Sequence, residues 1–384
     1  MSARQAAVVG LGTTEFSRDS GRSELRLTID AITAALADAG LSFDDVDGLT
    51  TSTVDTSDPS IVAEALGLGN LTFFSTIPFG GGGVCAAVEH AATAVRTGAA
   101  RTVVMYRGLN GRSGRRYGQG YPDTSGVQYM RLASHYGHLS PAHHLSLGIM
   151  RWMHTYGITN DDFAPVSVAM RRHAATNPAA HFYGRPVTAE DHRNSRWVVE
   201  PVLRLLDVCL ESDGAIALVV TSDERAADCA GTPVVVTAGA QGWTGRSRLM
   251  MNYYRDTVGT LPEIAIAGDA IWQASGLSPK DVDAAMLYDH FSPLVLMQLE
   301  ALGFCEPGES AKFARDGGIE IGGRLPVNTH GGMLGEAYIH GVNGIAEAVR
   351  QLRGTAVNQL RSPRHIVVTA GPGTPASALL LSAT

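Results

Sequence analysis

Lysine is nearly absent from this chain: of thirty basic residues in 384 positions, only Lys280 and Lys312 are lysines. Schiff-base chemistry needs a buried amine of lowered pKa, and Lys280 sits in a Ser-Pro-Lys-Asp helix start while Lys312 lies in a charged segment, so both read as surface. Cysteine is sparse too. Cys85, Cys209, Cys229 and Cys305 lie far apart with no CxxC pair, which argues against a zinc knuckle or a disulfide framework and fits a reducing compartment. No apolar run approaches the roughly 18 residues of a membrane span, and the stretch before the apolar run Ala6 to Val9 is too short for a signal sequence. A soluble, cytoplasmic protein is expected. The formal charge of −7 leaves no global attraction to nucleic acid or anionic lipid. Among the thirteen histidines, His135, His138, His143 and His144 are the densest group, yet no HExxH or carboxylate-bearing ligand spacing occurs, so no metal is expected.

What is present in quantity is apolar residue, 45% against 17% charged, enough for one large core or two fused ones. An internal repeat organises it. Gly40-Leu41-Ser42-Phe43-Asp44-Asp45-Val46-Asp47 is echoed by Gly276-Leu277-Ser278-Pro279-Lys280-Asp281-Val282-Asp283. A helical pattern precedes each copy (Leu25 to Ala39; Leu261 to Ser275) and an apolar strand follows (Gly48 to Thr53; Ala284 to Tyr288). A β-rich run opens each half, Ala6 to Leu11 and Pro233 to Ala238. Further on, a glycine cluster leads to a helix and a strand in both: Gly80 to Gly83 then Thr102 to Tyr106, and Gly331-Gly332 then His365 to Thr369. The economical reading is two βαβα halves, the first made of residues 1–107 and 202–230, the second of residues 231–384. Residues 108–201 interrupt the repeat and are the natural candidate for a substrate lid.

Several weaker signals have bland readings. Gly10-Leu11-Gly12 after a strand lacks the third glycine of a dinucleotide fingerprint, Glu15 standing in its place, so a tight turn suffices. Arg107, Arg112, Arg115 and Arg116 form a basic cluster suited either to the phosphates of coenzyme A or to carboxylates of a second subunit. Cys85, after four glycines at a helix start, is the best thiol nucleophile in the chain, although Ala86-Ala87 beside it favour a packed helix. Tyr253 and Tyr254 are further candidates to line a cleft.

Four places resemble the thiolase superfamily, in particular its sterol-carrier-protein type: Gly10-Leu11-Gly12-Thr13-Thr14-Glu15-Phe16, Glu211-Ser212-Asp213-Gly214-Ala215, Tyr288-Asp289-His290-Phe291-Ser292, and Asn328-Thr329-His330-Gly331-Gly332 followed by Tyr338, Gly341 and Gly344. The resemblance implies a thiolase fold with duplicated halves in a five-layered αβαβα arrangement, and a homodimer. It also shows what is missing. The nucleophilic cysteine falls at or near Gly80, the second cysteine near Ala370, and the two active-site histidines on Tyr288 and Tyr338. Condensation through an acyl-cysteine would need a thiolate and a base, and both positions are empty.

Two phenols in place of two imidazoles suit retro-aldol cleavage of a β-hydroxyacyl thioester, which needs proton transfer but no nucleophile. Together with Ser23-Glu24-Leu25-Arg26-Leu27, Tyr183-Gly184-Arg185-Pro186 and Asn194-Ser195-Arg196-Trp197, the pattern resembles the steroid side-chain-cleaving aldolase subunits of actinobacteria. That resemblance implies conversion of a 17-hydroxy steroid-22-oyl-CoA to a 17-keto steroid and propionyl-CoA. No cofactor is implied beyond the CoA of the substrate, and an OB-fold, zinc-ribbon-type partner is. Tyr288 is expected as base, its pKa lowered by neighbouring donors, and Tyr338 as acid; His290 and His330 are supporting candidates, and Asp289 is read as a structural acceptor. The competing readings are a catalytically silent acyl-CoA or sterol-binding scaffold and an acyltransferase using Cys85.

Overall fold

Gly10 and Gly12 lie within the first strand, where a Cβ on either would stand 2.2 and 2.1 Å from the carbonyl oxygens of Ala35 and Ala31. Their missing side chains let the first helix lie directly on the strand, which is the physical reason for the motif. The computed structural model describes residues 5–53, 57–78, 80–114, 116, 133–245, 258–371 and 376–384. The strands are β1 (Ala6–Thr13), β2 (Gly48–Thr53), β3 (Phe73–Pro78), β4 (Thr102–Asn110), β5 (Trp197–Val199), β6 (Leu203–Arg204), β7 (Asp213–Ser222), β8 (Val234–Gly242), β9 (Ala284–Met286), β10 (His365–Ala370) and β11 (Ala376–Ala383). The helices are α1 (Glu24–Ala39), α2 (Pro59–Leu66), α3 (Val84–Thr97), α4 (Pro141–Tyr156), α5 (Ala164–Thr176), α6 (Ala189–Asn194), α7 (Asp223–Ala226), α8 (Pro262–Ser275), α9 (Ser292–Ala301), α10 (Ser310–Arg315), α11 (Gly332–Gly335) and α12 (Val342–Arg353).

The repeat is visible in local chemistry. Helix α1 starts at Ser23, whose hydroxyl accepts the Arg26 N–H, and stops at Gly40; α8 stops at Gly276, and both glycines are left-handed, at φ 68° and 70°. After each, a serine caps a single 3₁₀ turn by bonding an aspartate three residues on, Ser42 with Asp45 and Ser278 with Asp281. The strands follow suit. One nine-stranded sheet runs β3-β2-β4-β7-β1-β8-β11-β10-β9. Pairs β2/β3 and β2/β4 are parallel, β4/β7 and β7/β1 antiparallel; in the second half β9/β10 is parallel, β10/β11 and β11/β8 antiparallel. The halves join where Ala7 and Val8 face Val235 and Val234. The second half has no counterpart of β3 among the described residues: a single parallel bridge from Ala285 to Val327 stands there. Thus β3 delivers the chain to Gly80, and Val327 delivers it to Asn328, at corresponding places.

Three apolar clusters separate the layers. Helix α1 packs Leu27, Ala31 and Ile32 on Val104, Tyr106 and Val219. Helices α3 and α12 sit in the middle, with Val88, Ala91, Ile345 and Val349 against residues from both halves, including Met105, Leu218, Val368 and Leu379. Helices α8 and α9 cover the other face, over Ala238, Val367 and Leu380. Neighbours on β10 alternate between clusters, Val367 outward and Ile366 and Val368 inward, as a strand buried on both faces requires. The result is the expected five-layered αβαβα arrangement. Helices α4 and α5 of the insertion join the outer cluster through Ile149, Trp152, Val166 and Met170, and the Trp152 indole donates to Glu300 at 3.0 Å. They are packed core. No described helix is long and apolar enough to cross a membrane.

Candidate active site

Tyr288 stands two residues past the end of β9 with its backbone held on several sides. Its N–H donates to Thr369 Oγ1 at 3.0 Å, its carbonyl accepts from Gln298 Nε2 at 2.9 Å, and the Thr369 hydroxyl donates to Gln298 Oε1 at 2.6 Å, closing a ring. The preceding residue is gripped by Asn328, which accepts the Leu287 N–H at 2.8 Å and donates to its carbonyl at 2.9 Å. Two glycines cradle the phenol itself. A Cβ at Gly81 would stand 2.0 Å from the Tyr288 hydroxyl, and one at Gly341 would stand 2.7 Å from its ring. Tyr338 comes from the loop between α11 and α12, where its N–H donates to Ser212 Oγ at 3.1 Å. The two phenol oxygens lie 3.2 Å apart, within hydrogen-bond reach. Tyr288 is buried and Tyr338 half-buried.

The surroundings are buried polar and charged groups. Arg107, fully buried on β4, donates from Nε and Nη2 to His340 Nδ1 at 3.0 and 2.7 Å. The His340 ring stands edge-on to Tyr338, centroids 5.1 Å apart. Asp289 accepts the N–H groups of Met333 and Leu334 at 2.8 and 3.3 Å, the structural role expected of it; burial nevertheless raises its pKa to about 7. The His290 ring lies 4.9 Å from that of Tyr288, T-shaped, and burial lowers its pKa to about 3. His330 lines a small cavity beside Tyr288. Its contacts run to Asn343 at 3.3 Å and Glu336 at 3.8 Å, and burial, helped by Arg350 and His173, lowers its pKa to about 3. At neutral pH both histidines are therefore uncharged.

One expectation needs correcting, the arginine cluster left open by the sequence is narrowed, and the packed-helix reading of Cys85 holds. Burial pushes the Tyr288 phenol above its ordinary pKa, outweighing the Tyr338 hydrogen bond and the Arg107 charge that pull it down, so it is not a base poised near neutrality. Arg107 belongs to the interior, Arg116 Nε is paired with Glu211 at 2.6 Å, and the Arg112 N–H serves Asp213; Arg115 lies outside the described residues, as do Tyr253 and Tyr254. Two of the cluster's described members, Arg107 and Arg116, are thus already engaged within the chain. Cys85 is fully buried in the central layer, its sulfur 3.7 Å from the Val368 carbonyl, and burial drives its pKa up. Helix-start geometry does not activate a thiol that solvent and substrate cannot reach.

Sequence reasoning missed Thr369, Gln298 and His340. Gln298 did carry a signal, as an uncharged polar residue within the apolar run of α9. His340 carried none, because its value lies in a left-handed backbone, φ 50°, that aims the ring at Arg107.

A Thiolase C-terminal domain-like family profile matches residues 247–381. The 17-hydroxy-3-oxo-4-pregnene-20-carboxyl-CoA lyase of Mycobacterium tuberculosis is 56% identical over 387 residues, covering 99% of this chain and 100% of that protein. A steroid side-chain-cleaving aldolase of Thermomonospora curvata is 53% identical, covering 98% of each. The solved structure described as Ltp2-ChsH2(DUF35) aldolase superposes with a TM-score of 0.94 at 53% identity, over 99% of this chain and 98% of that one. By identity over its full length and by fold, the chain belongs to the thiolase-fold family of steroid side-chain-cleaving aldolases.

Proposed function

We propose that this protein cleaves the side chain of a 17-hydroxy steroid-22-oyl-CoA by retro-aldol chemistry, releasing a 17-keto steroid and propionyl-CoA. The observation that carries the reading is the direct contact of two phenol hydroxyls, 3.2 Å apart, at the positions matching the family's histidines. Cleavage moves the C17–C20 electron pair onto the thioester as an enolate while the carbinol carbon becomes a ketone. One proton leaves the hydroxyl and one arrives at the enolate carbon. Two neutral phenols in contact transfer that proton without either acting as a standing base: Tyr338, half-exposed, takes the hydroxyl proton as it passes its own to Tyr288, and Tyr288 delivers one to the enolate. Each phenol ends as it began, and the balance closes without an added cofactor. A Tyr288 whose burial keeps it protonated suits the delivering role.

The test is direct. The protein, with and without a DUF35 partner, is incubated with the 17-hydroxy C22 thioester, and propionyl-CoA and the 17-ketone are followed by mass spectrometry. Equal amounts of both are expected; thioester bound but intact in every preparation would favour a scaffold, and an acyl adduct on Cys85 an acyltransferase.

The assembly is proposed on the same footing: a homodimer joined to an OB-fold, zinc-ribbon-type chain, supported by the pairing named for the structural neighbour. Strand β3, at one end of the sheet, offers an edge unpaired among the described residues, with Phe74 70% exposed, the kind of edge a second chain covers.

A further inference from the structure

Arg171, on α5, is a cation 7% exposed that makes no contact ion pair among the described residues, Asp191 acting on it only at longer range. Its guanidinium lies 3.5 Å above the Phe182 ring and Nη2 donates to the Arg185 carbonyl at 2.8 Å, while Nε is buried without a hydrogen-bond partner. Nε2 of His181, next in the chain to Phe182, is also buried and unpartnered. The exposed side chains of Arg18 and Arg185 complete the group; with Arg171 they hold the His181 pKa down, after the larger effect of its burial. Burial and the Arg185 charge together lower the Arg171 pKa to about 10, with Asp191 acting the other way. Desolvated guanidinium left short of a partner is costly, and what it lacks is an anion.

The group borders the tyrosine site. The N–H groups of His181 and Phe182 donate to the carbonyls of Glu336 and Gly335 at 2.9 and 3.2 Å, just before Tyr338. Arg18 follows Ser17, which bridges to Asp213, next to the Ser212 that accepts the Tyr338 N–H. Both chain segments that flank Tyr338 therefore carry part of the patch.

We infer that Arg171, Arg185, Arg18 and His181 form a phosphate-binding site for the anionic end of the CoA thioester, an assignment that rests on the acyl-CoA reading above. Guanidinium forks donate to phosphate oxygens in pairs, and the patch gathers three guanidinium groups around a buried Nε that has no hydrogen-bond partner. Phosphates anchored here leave the flexible arm to carry the thioester to the phenols.

The experiment uses the full chain and substitutes only the exposed members, Arg18→Glu and Arg185→Glu, singly and together. Calorimetric titration with free coenzyme A should show Kd rising by at least about tenfold in the double variant, with binding of pantetheine, which has no nucleotide phosphates, unchanged. In turnover the loss should fall on KM and not on kcat. Unchanged coenzyme A affinity overturns the assignment. So does an equal loss for pantetheine, which marks general damage, and so does a loss confined to partner-chain binding, which would make the missing anion a partner carboxylate. The two readings fail separately: weakened coenzyme A binding in a protein that never cleaves the steroid sustains the phosphate site and sinks the aldolase, whereas cleavage with unaltered coenzyme A affinity does the reverse.

Discussion

Arg107 directs two guanidinium nitrogens at one ring nitrogen of His340, at 3.0 and 2.7 Å. Since both donate, His340 Nδ1 is an acceptor and the ring proton sits on Nε2; burial and the Arg107 charge hold its pKa well below the ordinary value. His340→Ala would remove this acceptor, and a loss of about 1–3 kcal/mol is expected. His340→Asn suits the left-handed backbone and restores an acceptor, so it should recover most of the stability, yet not the turnover, because the ring edge against Tyr338 is gone. Chemical denaturation and single-turnover kinetics on the two variants separate these effects. Full turnover in His340→Asn would show that the ring does not position Tyr338.

Tyr288→Phe and Tyr338→Phe each remove one hydroxyl and keep the ring. Either should lower turnover by roughly a hundredfold or more, with thioester affinity nearly intact. A relay also predicts that more than one proton moves in the rate-limiting step, so the rate should curve downward with deuterium fraction in mixed isotopic water. Wild-type turnover in either folded variant removes that residue from the mechanism, and a linear dependence would reduce the relay to a single transfer.

Tyr288 should remain un-ionised where ordinary tyrosines titrate. Subtracting the ultraviolet titration of Tyr288→Phe from that of the native protein should leave no phenolate signal below about pH 10. The sign for stability follows: the unfolded chain ionises near 10 and the folded phenol only above that, so this contribution is full below pH 10 and is lost as pH rises further. A difference signal with a midpoint near 8 would restore Tyr288 as a standing base.

Glu336 gives a test in the acid range. Burial raises its pKa from 4.5 to about 7, so its contribution is greatest below pH 4.5 and is lost as pH climbs to 7. His290 and His330, lowered from 6.5 to about 3, run the opposite way, losing stability as pH falls from 6.5. Between 4.5 and 6.5 these trends oppose one another. Glu336→Gln keeps an acceptor oxygen for one of the two amides, Asn177 or Asn343, which donate to different carboxylate oxygens, and cannot ionise. Relative to the native protein it should gain stability progressively from pH 4.5 to 7, on the order of 3 kcal/mol. Urea denaturation at several pH values measures the gap, and a gap independent of pH would mean Glu336 has an ordinary pKa.

Much of the fold was legible because the duplication writes the same local signals twice: a glycine stop after α1 and α8, a serine-aspartate turn, then a strand. The meeting of Tyr288 with Tyr338 was legible only through resemblance, since fifty residues separate them and neither has a periodic pattern around it. Arg107 was misread for a physical reason. A charged residue ends an apolar run on paper, yet β4 continues through it to Asn110 because His340 supplies an acceptor 233 residues away. The direction of the Tyr288 pKa was likewise hidden: it depends on how much water reaches the phenol, which only packing decides.

Gly81 bears on how this site came to be and what can be made of it. With a Cβ there only 2.0 Å from the Tyr288 hydroxyl, any side chain at position 81 and the phenol compete for one volume. A nucleophile cannot be grafted at position 81 while the tyrosine stays, so an engineer seeking bond-forming chemistry from that position must surrender the phenol first. Intermediates carrying both would be sterically burdened, and lineages crossing between the two chemistries would have to exchange these residues nearly together.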